Sequence, residues 1–121
     1  MPSTQVPNIE NQQRTLKRLK YHAEQNYIGK RGVQGVRGYF KNQYLFLEAV
    51  IADRGVAGRF FKKAALRRGV GKLARLEYEG PDKWRFLIYE PDIDKYGPYP
   101  QFQEGTIEEC LDVAARVYIT G

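Results

Sequence analysis

The 121-residue chain holds few side chains suited to covalent or acid–base chemistry. It has one histidine, His22, one cysteine, Cys110, and one serine, Ser3 near the N-terminus. A nucleophile–base relay needs two such groups brought together, and a lone thiol excludes both a disulfide framework and a multi-thiolate metal site. His22 falls at the edge of a basic helical stretch with no second histidine in the chain, so its expected role is solvated or structural. Cys110 lies near the start of a C-terminal helical pattern, where a helix N-terminus would lower a thiol pKa. Its place beside the apolar face of that pattern argues instead for an inert, partly buried thiol. Carboxylates remain the one source of catalytic chemistry, and no sequence-local pair of them stands out. The expectation is a non-enzyme with no cofactor and no metal.

Basic side chains supply the chemistry that is left. Lys and Arg number 20 against 14 Asp and Glu, a net charge of +6, and the division along the chain is sharper than the total. Residues 14–72 carry 15 basic residues against Glu24, Glu48 and Asp53, a net of +12, while residues 73–121 carry a net of −5. Local charge sets the potential that a partner meets, so a polyanion should approach the first part. Arg59, Lys62, Lys63 and Arg67 recur at spacings of three and four, as on one face of a helix, with Arg68 following. Lys30, Arg31, Arg37 and Lys41 are interleaved with glycines in Gly29-Lys-Arg-Gly32-Val-Gln-Gly35-Val-Arg-Gly38. These nine basic residues form the expected nucleic-acid contacts, from a basic glycine-rich loop and a basic helix. Tyr39 and Phe40 beside that loop would stack on exposed bases. The partner expected first is DNA or RNA. The rival is a structural or adaptor subunit that docks a protein, or forms a homodimer, through Tyr96, Tyr99 and Phe102 in its Pro-rich C-terminal segment. A small carboxylate-based enzyme is the third reading.

The elements that must position these residues follow from periodicity. Residues 1–9 read as a flexible arm and 10–121 as one compact domain, basic over 10–72 and acidic over 73–121. Leu16, Leu19, Ala23 and Tyr27 predict an amphipathic helix over about Asn11–Tyr27. The four glycines predict a loop, since each would cost a helix about 1 kcal/mol relative to alanine. Leu45 with Ala49 and Phe46 with Val50 give a second helix over Lys41–Ala52, with a strand over Tyr44–Ile51 as the rival. Val56, Phe60 and Ala64 give a third helix over Val56–Arg67. Alternation in Leu73–Glu79 and Lys83–Tyr89 around Gly80-Pro-Asp82 predicts a β-hairpin. Residues 90–105 read as irregular. Thr106 with Glu109 is a capping-box pattern, and Ile107, Leu111, Ala114 and Tyr118 line one face of a final helix. The fold class is therefore α+β: N-terminal helices, then a β-hairpin and a C-terminal helix.

Three short resemblances accompany this reading. Helix, break, basic helix and hairpin is the order of a winged helix-turn-helix, which implies that Val56–Arg67 enters the major groove and that the Gly80–Asp82 tip serves as the wing. Gly29-Lys30-Arg31-Gly32 resembles the backbone-clamping loop of KH domains, although Gly35 and Gly38 fall where that family continues as a helix. Lys83-Trp-Arg-Phe-Leu-Ile-Tyr-Glu-Pro91 with Phe102 and Thr106–Ala115 resembles the plant AP2 and phage-integrase arm-type domains. That likeness implies a three-stranded sheet on DNA, with Arg75, Lys83 and Arg85 as contacts. Asp92-x-Asp94-x-Tyr96-Gly97 opens like a calcium loop, but Gln103 stands where its closing glutamate is required. No apolar run is long enough to span a membrane and none resembles a signal peptide, so a soluble cytoplasmic protein with no membrane partner is expected.

Overall fold

The computed structural model describes residues 6–29, 32–51, 66–67 and 70–119. The chain enters through helix α1, Ile9–Asn26, which Asn8 caps by accepting from the Asn11 N–H at 2.9 Å. Pro7 before it is buried, and its carbonyl accepts from the Gln12 side chain. Leu19 and Ala23 form the buried stripe of α1, as the helical spacing predicts. The helix stops at Tyr27, and Gly29 turns the chain at φ 90°, in the left-handed region where a side chain would be strained.

The glycine-rich stretch that follows is a strand for most of its length, not a loop. Strand β1, Val33–Lys41, pairs antiparallel with β2, Tyr44–Ile51, through the two-residue turn Asn42-Gln43. Asn42 takes the positive φ of 57° that this tight connection needs. Gly38 is required by packing. A Cβ there would lie 2.8 Å from Leu19 Cδ2 and 3.1 Å from both Leu16 Cδ2 and Leu45 Cδ1, because α1 crosses the sheet at this point.

The expected second helix, Lys41–Ala52, is corrected to the rival reading, a strand over Tyr44–Ile51, preceded by the end of β1 and the Asn42-Gln43 turn. Leu45, Leu47 and Ala49 are wholly buried under the helices, while Tyr44 and Phe46 pack on the other face. A strand covered on both faces shows a nearly continuous apolar run, which periodicity alone does not separate from a helix. The third expected helix falls largely on residues outside the described set. Its last two residues, Leu66–Arg67, form the short strand β3, paired with Val70 and Gly71.

The predicted hairpin is present as β4, Val70–Gly80, and β5, Lys83–Glu90. The segment expected to be irregular returns as β6, Lys95–Pro98, and β7, Glu104–Gly105, both paired with β5. Helix α2, Ile107–Tyr118, has the full capping box: Thr106 Oγ1 accepts from the Glu109 N–H, and Glu109 Oε1 accepts from the Thr106 N–H. The sheet order is β1-β2-β4-β5-β6, with β3 and β7 beside β4 and β5. Both helices lie on one face and bond to each other. Leu45, Leu76, Trp84 and Phe86 from the sheet, with Leu19, Ile107 and Leu111 from the helices, form one buried cluster. The architecture is thus an α+β domain in which N- and C-terminal helices flank a multi-stranded antiparallel sheet. The winged-helix order is overturned, because its first helix of the pair is a strand inside that sheet.

Candidate functional site

The face of the sheet turned away from the helices carries the most unusual chemistry among the described residues. Strand alternation puts Tyr44, Phe46 and Glu48 there from β2, and the cross-strand register sets Tyr39 opposite Phe46 and Arg37 opposite Glu48. On the other side of β2, Arg75 of β4 stands opposite Phe46. Tyr39 stacks on Phe46 with ring centroids 5.2 Å apart, and Tyr44 meets the same ring edge-on at 6.2 Å. Tyr96 of β6 reaches Phe46 at 5.6 Å and Tyr89 at 5.3 Å. The Arg75 guanidinium lies 4.2 Å from the Tyr44 ring and 5.7 Å from that of Tyr96. Its Nε is shut away from solvent and meets no hydrogen-bond acceptor among the described residues. Cation–π attraction to two tyrosines replaces the usual carboxylate partner.

Electrostatics on this face are local. Glu48 is 6% exposed, and Arg37 holds it with Nε and Nη2 both 2.9 Å from one carboxylate oxygen. Burial raises the Tyr39 phenol above its usual pKa, and the Glu48 carboxylate beside it adds to the shift. Burial also raises Tyr96, with the neighbouring Tyr39 and Glu48 in support. Lys72 pairs with Asp94 at 3.4 Å and lies over the Tyr89 ring. Arg85 bonds Glu79 at 3.1 Å, and Lys83 bonds Glu104 at 2.9 Å.

The expected nucleic-acid residues are thus partly placed. Lys30, Arg31, Arg59, Lys62, Lys63 and Arg68 lie outside the described residues, and only the backbone of Arg67 is described, in β3. Arg37 and Lys41 share β1; Lys41 is exposed, while Arg37 is engaged by Glu48. Tyr39 stacks within the protein, and Phe40 packs toward Trp84 on the helix side. Arg75, Lys83 and Arg85, the contacts implied by the AP2 likeness, are all engaged by neighbouring side chains. The described sheet presents no basic patch.

The three expected docking aromatics do not converge. Tyr96 belongs to the outer cluster, whereas Tyr99 and Phe102 pack edge-on against Phe86 at 6.0 and 5.4 Å. Beside them a cavity of about 250 Å³ is bounded by Gln101, Glu109, Asp112, Val113 and Arg116. Sequence reasoning missed Tyr44 and Phe46 as members of a surface, and named Arg75 only as a DNA contact implied by the AP2 likeness. Alternation along Tyr44–Leu47 was the signal available, and a helical reading of that segment obscured it.

The remaining candidates are structural. His22 Nε2 is 2.7 Å from Asp112 Oδ1, which also accepts from the Tyr27 hydroxyl at 2.5 Å. Nδ1 faces Asn26 at 3.4 Å, so both ring nitrogens are engaged where the helices meet. Arg18 clamps Glu108 and Asp82 along the same seam, and its hydrogen bond holds Glu108 below the ordinary carboxylate range. Cys110 is fully buried, and desolvation pushes its thiol up, the direction opposite to a reactive cysteine. Asp94 accepts from the Tyr89 hydroxyl at 2.5 Å. Among the described residues no group of three or more His, Cys, Asp or Glu is placed to hold a metal ion. None of their helices is long and apolar enough to cross a membrane.

What the fold and this face define is a class, an α+β domain with an arginine-centred aromatic patch on the sheet face that neither described helix covers. Comparison with known protein families, with curated proteins and with solved structures gives no match to the chain.

Proposed function

We propose that this domain is a non-catalytic structural or adaptor subunit that docks a protein partner through an aromatic patch in which Tyr96 of the C-terminal half meets Tyr39, Tyr44 and Phe46 of the first half. The observation that carries this reading is the Arg75–Tyr44–Tyr96 arrangement on a sheet face that neither described helix covers. Tyrosine and arginine dominate the energetic centres of protein interfaces, because they combine large contact area with directional polar groups. Arg75 is half-buried with its Nε shut from solvent, and its guanidinium is held over the Tyr44 ring, so binding would immobilise little that is free. Tyr39, 39% exposed, supplies an accessible edge of the patch. The pairing of Arg37, Lys72, Lys83 and Arg85 with carboxylates disfavours the nucleic-acid reading for this face, because a polyanion would have to displace them.

The test is affinity purification at moderate and high salt, with wild type beside a Tyr39→Ser/Tyr96→Ser variant of retained secondary structure. A protein partner, or a second copy, should persist at high salt with wild type and drop at least tenfold with the variant. Nucleic acid retained equally by both proteins, with no patch-dependent protein, would overturn the reading.

A further inference from the structure

A second surface lies on the opposite side of the molecule's edge, where α1 crosses β1. Strand β1 ends the sheet order, and no described strand pairs with its outer edge. Lys41 and Tyr44 flank a two-residue turn, a geometry in which the flanking residues exchange both ladder bonds. Counting back by twos, Tyr39 and Arg37 bond β2 in the same way. Val36, Gly38 and Phe40 therefore turn their N–H and C=O groups outward. The Val33 carbonyl already accepts from the Gly29 N–H at 2.7 Å, and the Val36–Phe40 part of the edge is a template for an added strand unless something covers it.

The edge is also the rim of a groove of about 440 Å³ between α1 and β1, within the range of ligand-binding pockets. Leu16, Leu19, Ala23, Ile28 and Val36 make its lining largely aliphatic. Gly35 and Gly38 reduce the side chains that the strand adds to it, and a Cβ at Gly35 would meet nothing within 4 Å. Ile28 remains 40% exposed at one end. An extended peptide paired to β1 would drop alternate side chains into this groove.

Charge selects the occupant. Helix α1 and strand β1 carry six Lys or Arg against Glu10 and Glu24; Arg18 and Arg37 are taken up by other carboxylates, which leaves Arg14, Lys17, Lys20 and Lys41. Lys20 lines the groove itself beside Glu24, and Lys17 and Lys41 add to the positive surplus of the two elements. A second copy adding its own β1 would set two such segments against each other. A nucleic acid would supply phosphates but neither a backbone ladder nor aliphatic groups for the lining. We infer that the α1–β1 groove binds an extended peptide of alternating acidic and aliphatic residues as an added β-strand. This goes beyond the docking patch, whose Tyr39–Arg75–Tyr96 surface lies on the other face of the sheet.

The experiment uses the full chain and a labelled nonapeptide alternating Glu and Val. Its Lys-for-Glu counterpart and a single-stranded oligonucleotide serve as competing probes, followed by fluorescence anisotropy and by backbone amide shifts. The acidic peptide should bind in a salt-sensitive manner and shift the amides of Val36, Gly38 and Phe40 with those of Leu16–Ile28. Lys20→Glu and Ile28→Ser both alter exposed positions, and each should weaken it about fivefold or more. Val36→Pro removes an outward N–H, which an edge strand tolerates, and should abolish pairing while the β1–β2 amides persist. Equal binding of the Lys peptide, stronger competition by the oligonucleotide, self-association through the same amides, or peptide shifts confined to the Tyr39–Arg75 face would each overturn the inference. Only the last of these outcomes would favour the docking patch, so the two readings fail separately.

Discussion

At the scale of single residues, several side chains are held by one dominant contact whose loss can be measured. Gly38→Ala places a methyl against the δ-carbons of the buried Leu19 and Leu45. Overpacking of about 1–3 kcal/mol should outweigh the 0.5–1 kcal/mol that alanine gains over glycine in backbone entropy. The expected result is a melting temperature several degrees lower; an unchanged or higher value would show that α1 does not pack closely at that point. Glu108 gives a pH-dependent case. Its folded-state pKa is lowered by Arg18, so the stabilisation is present above the ordinary carboxylate pKa and is lost as pH falls through the lowered value. The pair is about one-third exposed, which limits its contribution to about 1 kcal/mol or less. Denaturation of Glu108→Gln should match wild type at low pH and fall below it at neutral pH. Burial acts in the other sense on Tyr118, whose phenol is pushed up to about 12. Its contribution is present below the ordinary tyrosine pKa and is lost as pH rises from there toward that value.

At the scale of elements, legibility in the sequence tracked how many faces of each element are covered. Helices α1 and α2 each bury one stripe, so their spacing and their capping residues could be read directly. Thr106→Ala removes the side-chain half of the α2 capping box and should cost about 1 kcal/mol in chemical denaturation, as N-cap losses do. The hairpin of β4 and β5 was legible for the same reason, with Pro81-Asp82 marking its turn. β2 was not, because Leu45 and Leu47 face the helices while Tyr44 and Phe46 face the aromatic patch, and apolar groups on both sides erase the period of two. β1 was hidden by its glycines, of which Gly38 allows the close approach of α1, a long-range requirement. Short β6 and β7 carry little pattern of their own and exist because β5 offers them an edge.

At the scale of the whole molecule, the fold separates two surfaces that the chain interleaves. The outer sheet face gathers Tyr39, Tyr44 and Phe46 from the first half with Arg75 and Tyr96 from the second. The α1–β1 edge, with which no described strand pairs, combines the outward backbone groups of Val36, Gly38 and Phe40 with the basic surplus of α1 and β1. If both proposed surfaces bind, their placement on different faces of the sheet predicts that they bind independently. The expected outcome is that saturating acidic peptide leaves patch-dependent partner capture unchanged within twofold, measured in the same purification with peptide added. Mutual exclusion would show that the two surfaces are one.

The sequence by itself determined the scarcity of nucleophiles and bases, the division between a basic first part and an acidic second part, the two terminal helices and the central hairpin. Each of these depends on composition or on a pattern contained in one short segment. Only the tertiary structure decided that Lys41–Ile51 belongs to a sheet, that Tyr96 parts from Tyr99 and Phe102, and that Arg75 sits among tyrosines instead of carboxylates. Those outcomes arise from cross-strand register and from which face each strand turns toward the helices. Both are set when distant segments pair, so no local pattern records them.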